Sequence, residues 1–262
     1  MRTLLFILLF ISTSVFSQGK YTLIKTIETE SDYFTTDNQS NVYVVKANEL
    51  TKYNKDGKLL YKYSNKNLGN ITFVDASNML RVLLFYKEFS QVVFLDNTLS
   101  QNGEAISLSL LDIYQPPLAC SSYNNGIWVY DQQSFSLLRY DKTLQDIQQT
   151  GNLQTLQNDS LQPNMMIEYD NRLYLNNPRS GILIFDIYGT YYKTIPVKNA
   201  TQFQPITDWV YYQSEKKIKA YNIKTTEEKE FEMPLTDFRN FRLEMSILIL
   251  QTEKSISLFS AE

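Results

Sequence analysis

The chain has no histidine in 262 residues. That removes Ser-His-Asp and Cys-His nucleophile systems, zinc sites that use imidazole, and the usual general base near neutral pH. Cysteine occurs once, at Cys120, so no internal disulfide exists and stability must come from packing. In Leu118-Ala-Cys-Ser-Ser122 the thiol stands among small residues, as a buried core side chain does. Glycine is scarce, eight in all, and no Gly-rich phosphate cradle, dinucleotide fingerprint or Gly-x-Ser-x-Gly elbow is present. No cofactor is expected. A cluster of basic residues is missing too, and the formal charge is −3. Polyphosphate backbones need clustered Lys and Arg, so nucleic acid is not an expected partner.

Long apolar runs are absent except at the start. Met1-Arg-Thr, then Leu4 to Ile11, then the small polar Ser12 to Ser17 give the basic, apolar and cleavage regions of a secretory signal. Cleavage is expected after Ser17, leaving 18–262 as one domain, exported to the periplasm or outside the cell. The apolar run is well short of the roughly 20 residues a spanning helix needs, so no integral membrane span is expected once the signal is removed. No cysteine lies at the cleavage point to carry a lipid.

What the chain has is repetition. An apolar residue followed by Asp, Asn or Ser recurs at Tyr53-Asn54, Leu95-Asp96, Tyr140-Asp141, Phe185-Asp186, Tyr221-Asn222 and Phe259-Ser260, in steps of 42, 45, 45, 36 and 38 residues. Two β-rich segments precede each step, as in Asn41–Val45 with Glu49–Tyr53, Met79–Leu84 with Gln91–Leu95, and Arg172–Asn176 with Gly181–Asp186. Room remains for a strand before (Tyr33–Thr36, Leu118–Ser121, Phe241–Glu244) and one after (Lys58–Tyr63, Glu104–Leu108, Lys229–Met233). Four short strands at a period near 40 indicate a propeller blade. The sixth unit stops at Glu262 without its last strand, while Lys20–Ile27 is a strand without a unit. The prediction is an all-β, six-bladed β-propeller of four-stranded antiparallel blades, closed by the N-terminal strand so that no edge is left unpaired.

Asp37-Asn-Gln-Ser-Asn-Val-Tyr-Val44 followed by Tyr53-Asn-Lys-Asp-Gly57 resembles the blades of six-bladed NHL-like propellers. The resemblance implies the fold and carries no functional residues across.

Inner-strand acids Asp37, Asp75, Glu168, Asp208 and Glu244 are the formal carboxylate candidates. A pair of them acting on an extracellular glycan or polymer is the alternative function. Asp at a strand end more often bonds its own turn, and Asp37 to Asn41 reads as such a turn, short of the ligands calcium needs. The favoured reading is a non-catalytic binding or scaffold module for another protein or an envelope component. Loops joining second to third strands share one end of the ring with connections between blades. At that end units two to four place Phe85–Ser90, Leu111–Pro117, Asp131–Phe135 and Asn176–Ser180, and units one, five and six only short charged loops. The expected contact residues are Tyr86, Phe89, Tyr114, Asp131, Phe135 and Arg179, rich in the residue types that dominate interface hot spots.

Overall fold

A computed structural model describes residues 21–156 and 160–261. The signal segment expected at 1–17 lies outside the described residues. Six four-stranded antiparallel sheets stand around one axis, each running in chain order from an inner to an outer strand except where the ring closes. Blade 1 comprises Tyr33–Thr36, Val42–Lys46, Glu49–Tyr53 and Leu59–Ser64. Blade 2 comprises Phe73–Asp75, Val82–Tyr86, Gln91–Leu95 and Ile106–Ser107. Leu118–Ser122, Gly126–Asp131, Ser136–Tyr140 and Asp146–Gln149 form blade 3. Met165–Tyr169, Arg172–Asn177, Gly181–Asp186 and Tyr191–Ile195 form blade 4. Gln202–Ile206, Trp209–Ser214, Lys217–Asn222 and Glu228–Phe231 form blade 5. Blade 6 takes Asn240–Glu244, Ile247–Gln251 and Ser255–Ala261 from the end of the chain, and its outer strand, Tyr21–Glu28, from the beginning. Tyr21 pairs with Ala261 and Glu28 with Ser255, closing the ring as the unpaired N-terminal strand predicts.

The core is divided among the wedges between blades. Six clusters of buried apolar side chains occur among the described residues, one per wedge. Both faces of a blade are therefore buried, which is why its middle strands read as near-continuous apolar runs. In Val82-Leu83-Leu84-Phe85-Tyr86, residues 82, 84 and 86 enter the wedge toward blade 1, while 83 and 85 enter the wedge toward blade 3.

In blades 1 to 5 the recurring step is a turn between third and outer strands, whereas Phe259-Ser260 lies within the third strand of blade 6. Asp96 Oδ1 accepts the backbone N–H of Thr98 and Ser100, Asp141 Oδ1 those of Thr143 and Gln145, and Asp186 Oδ1 those of Tyr188 and Thr190. Asn54 does the same for Asp56 and Lys58. The fourth residue of these turns is left-handed: Gly57, Leu99, Leu144 and Gly189. The side-chain acceptor holds the turn whether or not glycine relieves its strain, so the turn glycine is kept in only some blades.

The boundaries that differ most from the sequence prediction are in blade 2. The second strand of blade 2 begins at Val82 and runs to Tyr86, because Asn78 caps a turn through the N–H of Leu80 and the bond of Arg81 N–H to its carbonyl. Its outer strand shrinks to Ile106–Ser107, since a 3-10 turn over Leu108–Leu111 follows at once.

Candidate functional site

The ring has two ends. The turn face carries the hairpins leaving each inner strand, and the entry face carries the loops between second and third strands and the connections between blades. Polar side chains bond each blade to the next all the way round the ring, and at four of the six joins they do so between inner strands beside the axis. From blade 1 to 2, Lys52 Nζ donates to Asn97 O at 3.1 Å. From 2 to 3, Asp75 Oδ2 accepts Ser121 N–H at 2.9 Å while its Oδ1 accepts Ser77 N–H. From 3 to 4, Glu168 accepts Ser122 Oγ–H, Tyr123 N–H and Trp128 Nε1–H at 2.7, 2.8 and 2.6 Å. From 4 to 5, Asn176 Nδ2 donates to Ala200 O at 2.8 Å. From 5 to 6, Gln204 bonds both the N–H and the carbonyl of Leu243 at 2.9 Å. From 6 to 1, Asn240 Nδ2 donates to Phe34 O and Thr36 Oγ1 to Glu244 Oε1, at 3.1 and 2.5 Å.

These bonds decide the fate of the carboxylate candidates. Asp37 accepts from Gln39 N, Asn41 N, Asn41 Nδ2 and Tyr43 OH, and faces the buried Lys52 at 3.8 Å, so it holds its own turn. Asp208 pairs with Lys224 on the surface at 2.8 Å. Asp75 and Glu168 clamp blades. Glu244 is held above the ordinary carboxylate range: burial raises it, against the lowering effect of Thr36, Arg242 and Gln204. Cys120 lies inside the wedge between blades 3 and 4, and burial pushes its thiol up, away from the reactive thiolate.

A cavity of about 400 Å³ opens on the axis at the turn face, with Phe73, Ile167, Tyr169, Pro205 and Leu243 among its apolar walls and Asp75, Gln204, Arg242 and Glu244 among its polar ones. Arg242 was not singled out by the sequence. Nothing distinguishes an Arg within Asn240–Glu244 until the ring places it inside.

On the entry face the six expected contact residues separate. Phe89 and Tyr114 are 53% and 51% exposed, and Leu110, in the same connection as Tyr114, is 84% exposed. Phe89 lies across Gly69: a Cβ there would stand 3.1 Å from its ring, and φ +74° suits glycine. Arg179 is exposed. Asp131 accepts from Gln133 N, Ser134 N and Ser134 Oγ and so shapes its loop. Phe135 is partly buried against the wedge between blades 3 and 4, and its carbonyl accepts Leu153 N–H from the next connection. Tyr86 departs from expectation. It is wholly buried at the end of its strand, in the wedge toward blade 1, because the later start at Val82 carries the strand two residues further than the sequence indicates. Asn176 and Asn177 are likewise buried strand residues, leaving Pro178 to Ser180 as the loop. Between blades 3 and 4 this face holds a cavity of about 450 Å³ bounded by Lys87, Pro117, Tyr130, Phe135, Gln132, Ser160 to Pro163. The Tyr130 hydroxyl is buried without a hydrogen-bond partner among the described residues, and burial together with Asp131 raises it to about 12.

No family model matches the sequence, and no curated protein matches it. Solved structures match across nearly the whole chain. A catalytically inactive virginiamycin B lyase from Staphylococcus aureus with quinupristin is 14% identical, with a TM-score of 0.64 over 92% of this chain and 99% of that one. The WD40 domain of Neurospora crassa Pan2 is 8% identical, with a TM-score of 0.66 over 92% and 95%. BBS1N in complex with ARL6DN is 8% identical, with a TM-score of 0.59 over 94% and 98%. At these identities the likeness is one of fold, and the chain is a six-bladed β-propeller.

Proposed function

We propose that this protein is an exported, non-catalytic binding or scaffold module that takes another protein or an envelope component on the entry face over blades 2 to 4. The observation that carries the reading is a grouping of exposed side chains: Phe89, Leu110, Tyr114 and Leu156 are large apolar residues on neighbouring loops of that face. Exposed aromatic and apolar side chains with an arginine beside them are the material of interface hot spots. Arg179 and the cavity bounded by Lys87 and Phe135 lie at the same end of the ring.

Two further facts support binding over turnover. Asp37, Asp75 and Glu168 accept hydrogen bonds that hold the fold, so none of these three is presented freely as one of the carboxylate pair glycoside hydrolysis uses. The S. aureus lyase is described as inactive after one histidine is replaced by alanine, and this chain contains no histidine. BBS1N, by contrast, was solved with a protein partner.

Export is tested by fractionating cells and sequencing the mature N-terminus, expected at Gln18. The binding face is tested by capture from envelope extracts on immobilised protein, with crosslinking and identification of the partner. A variant carrying Phe89→Ser, Tyr114→Ser and Arg179→Glu is expected to lose capture with its unfolding midpoint unchanged. Undiminished capture overturns the assignment.

A further inference from the structure

The axial cavity at the turn face is lined by Arg242, whose Nε has no hydrogen-bond partner among the described residues. Residues alternate sides along a strand, so Asn240, Arg242 and Glu244 share the face of the blade 6 inner strand that turns toward blade 1. Asn240 and Glu244 bond to blade 1 there, through Phe34 and Thr36. Arg242, between them, is only 6% exposed; its Nε has no hydrogen-bond partner, and it makes no ion pair among the described residues. The carboxylates that act on it through space are Glu244 and Asp75. Both are engaged elsewhere, Asp75 by Ser77 and Ser121 and Glu244 by Thr36 and Gln204.

A guanidinium carries five N–H donors in a planar fork, and burying it unpaired is costly unless an acceptor arrives. The acceptor that matches the fork is an oxyanion with two oxygens in one plane. Three acids line the cavity; Asp37 faces the buried Lys52 at 3.8 Å, while Asp75 and Glu244 restrict the choice, because each repels any negative charge beyond the one Arg242 offsets. A monoanion is favoured over phosphate or a dicarboxylate. Phe73, Ile167 and Leu243 give the cavity an apolar side, opposite polar lining that includes Thr36 and Ser77, and about 400 Å³ is near the low end of the volume of small-molecule sites.

We infer that the axial cavity binds a small monocarboxylic acid, with its carboxylate on the Arg242 guanidinium and its apolar body against Phe73, Ile167 and Leu243. The site faces away from the proposed contact surface, so the two assignments stand or fall separately.

The test is titration calorimetry on the mature protein with octanoate and with phenylacetate, and with inorganic phosphate at matched ionic strength. Saturable binding of at least one carboxylate is expected, with no heat from phosphate. Arg242→Lys keeps a cation but loses the fork and is expected to weaken that binding about tenfold or more. Glu244→Gln removes a neighbouring negative charge and is expected to tighten it. The variant carrying Phe89→Ser, Tyr114→Ser and Arg179→Glu should bind as the unaltered protein does. No binding of either acid up to about 10 mM overturns the proposal. So does phosphate binding as well as the carboxylates, or affinity unchanged in Arg242→Lys.

Discussion

The axis of the ring and its entry face use polar and apolar side chains in opposite ways. Around the axis, acids and amides are consumed: Glu168 takes three donors, Gln204 spans a peptide of the next blade, and Asn240 reaches the carbonyl of Phe34. On the entry face, Phe89, Leu110 and Tyr114 are left to solvent. The difference teaches that residue type alone does not locate function in a propeller. Groups near the axis are first of all the bonds that replace a continuous sheet between blades, and the informative ones are those left unbonded among the described residues, such as Arg242 Nε.

The comparison breaks most severely at Glu168. Glu168→Ala leaves the N–H of buried Trp128 and Tyr123 unsatisfied and is expected to cost about 3 kcal/mol in denaturant unfolding, with tryptophan emission as the probe. A change under about 0.5 kcal/mol would show that the axial circle is not structural. On the entry face the same scale of effect should appear in affinity instead. The Phe89, Tyr114 and Arg179 variant is expected to lose at least about 2 kcal/mol of partner binding while its stability shifts by less than about 0.5 kcal/mol.

A smaller effect separates burial from function at Glu244. Its carboxyl is raised in the folded protein, chiefly by burial, so the folded state holds its proton to a higher pH than the unfolded chain does. Ionisation of this group therefore opposes folding above its folded pKa, and the penalty disappears as pH falls below the unfolded value. Glu244→Gln is expected to stabilise by about 1 kcal/mol at pH 7, with the gain vanishing toward pH 4, in thermal melts of both proteins. Stabilisation that persists at pH 4 would contradict the assigned cause. The smallest effect is at Tyr86. Tyr86→Phe keeps the buried ring and is expected to leave partner capture unchanged, whereas lost capture would return the residue to the contact surface.

Most of the fold was legible because each level of the sequence agreed with the next. The strands Tyr33–Thr36, Glu49–Tyr53 and Gln91–Leu95 fall where the alternation and the spacing of the apolar-Asp step put them. Closure was legible because the missing outer strand of the last blade and the spare strand at the N-terminus are complementary. The site was less legible. Tyr86 belongs to a five-residue apolar strand buried on both faces, where periodicity gives no frame, and only the cap at Asn78 fixes where that strand begins. Inner-strand carboxylates looked alike in sequence and differ in the structure, because their partners come from another blade some 40 residues away.

By itself the sequence determined the class, the number of blades, the turn chemistry and the absence of histidine-dependent catalysis, since these rest on local pattern and composition. The tertiary structure decided which polar groups are used and which are free. Serving Asp75 from Ser121, hiding Tyr86 and stranding Arg242 on the axis all depend on contacts between blades, which no local pattern encodes.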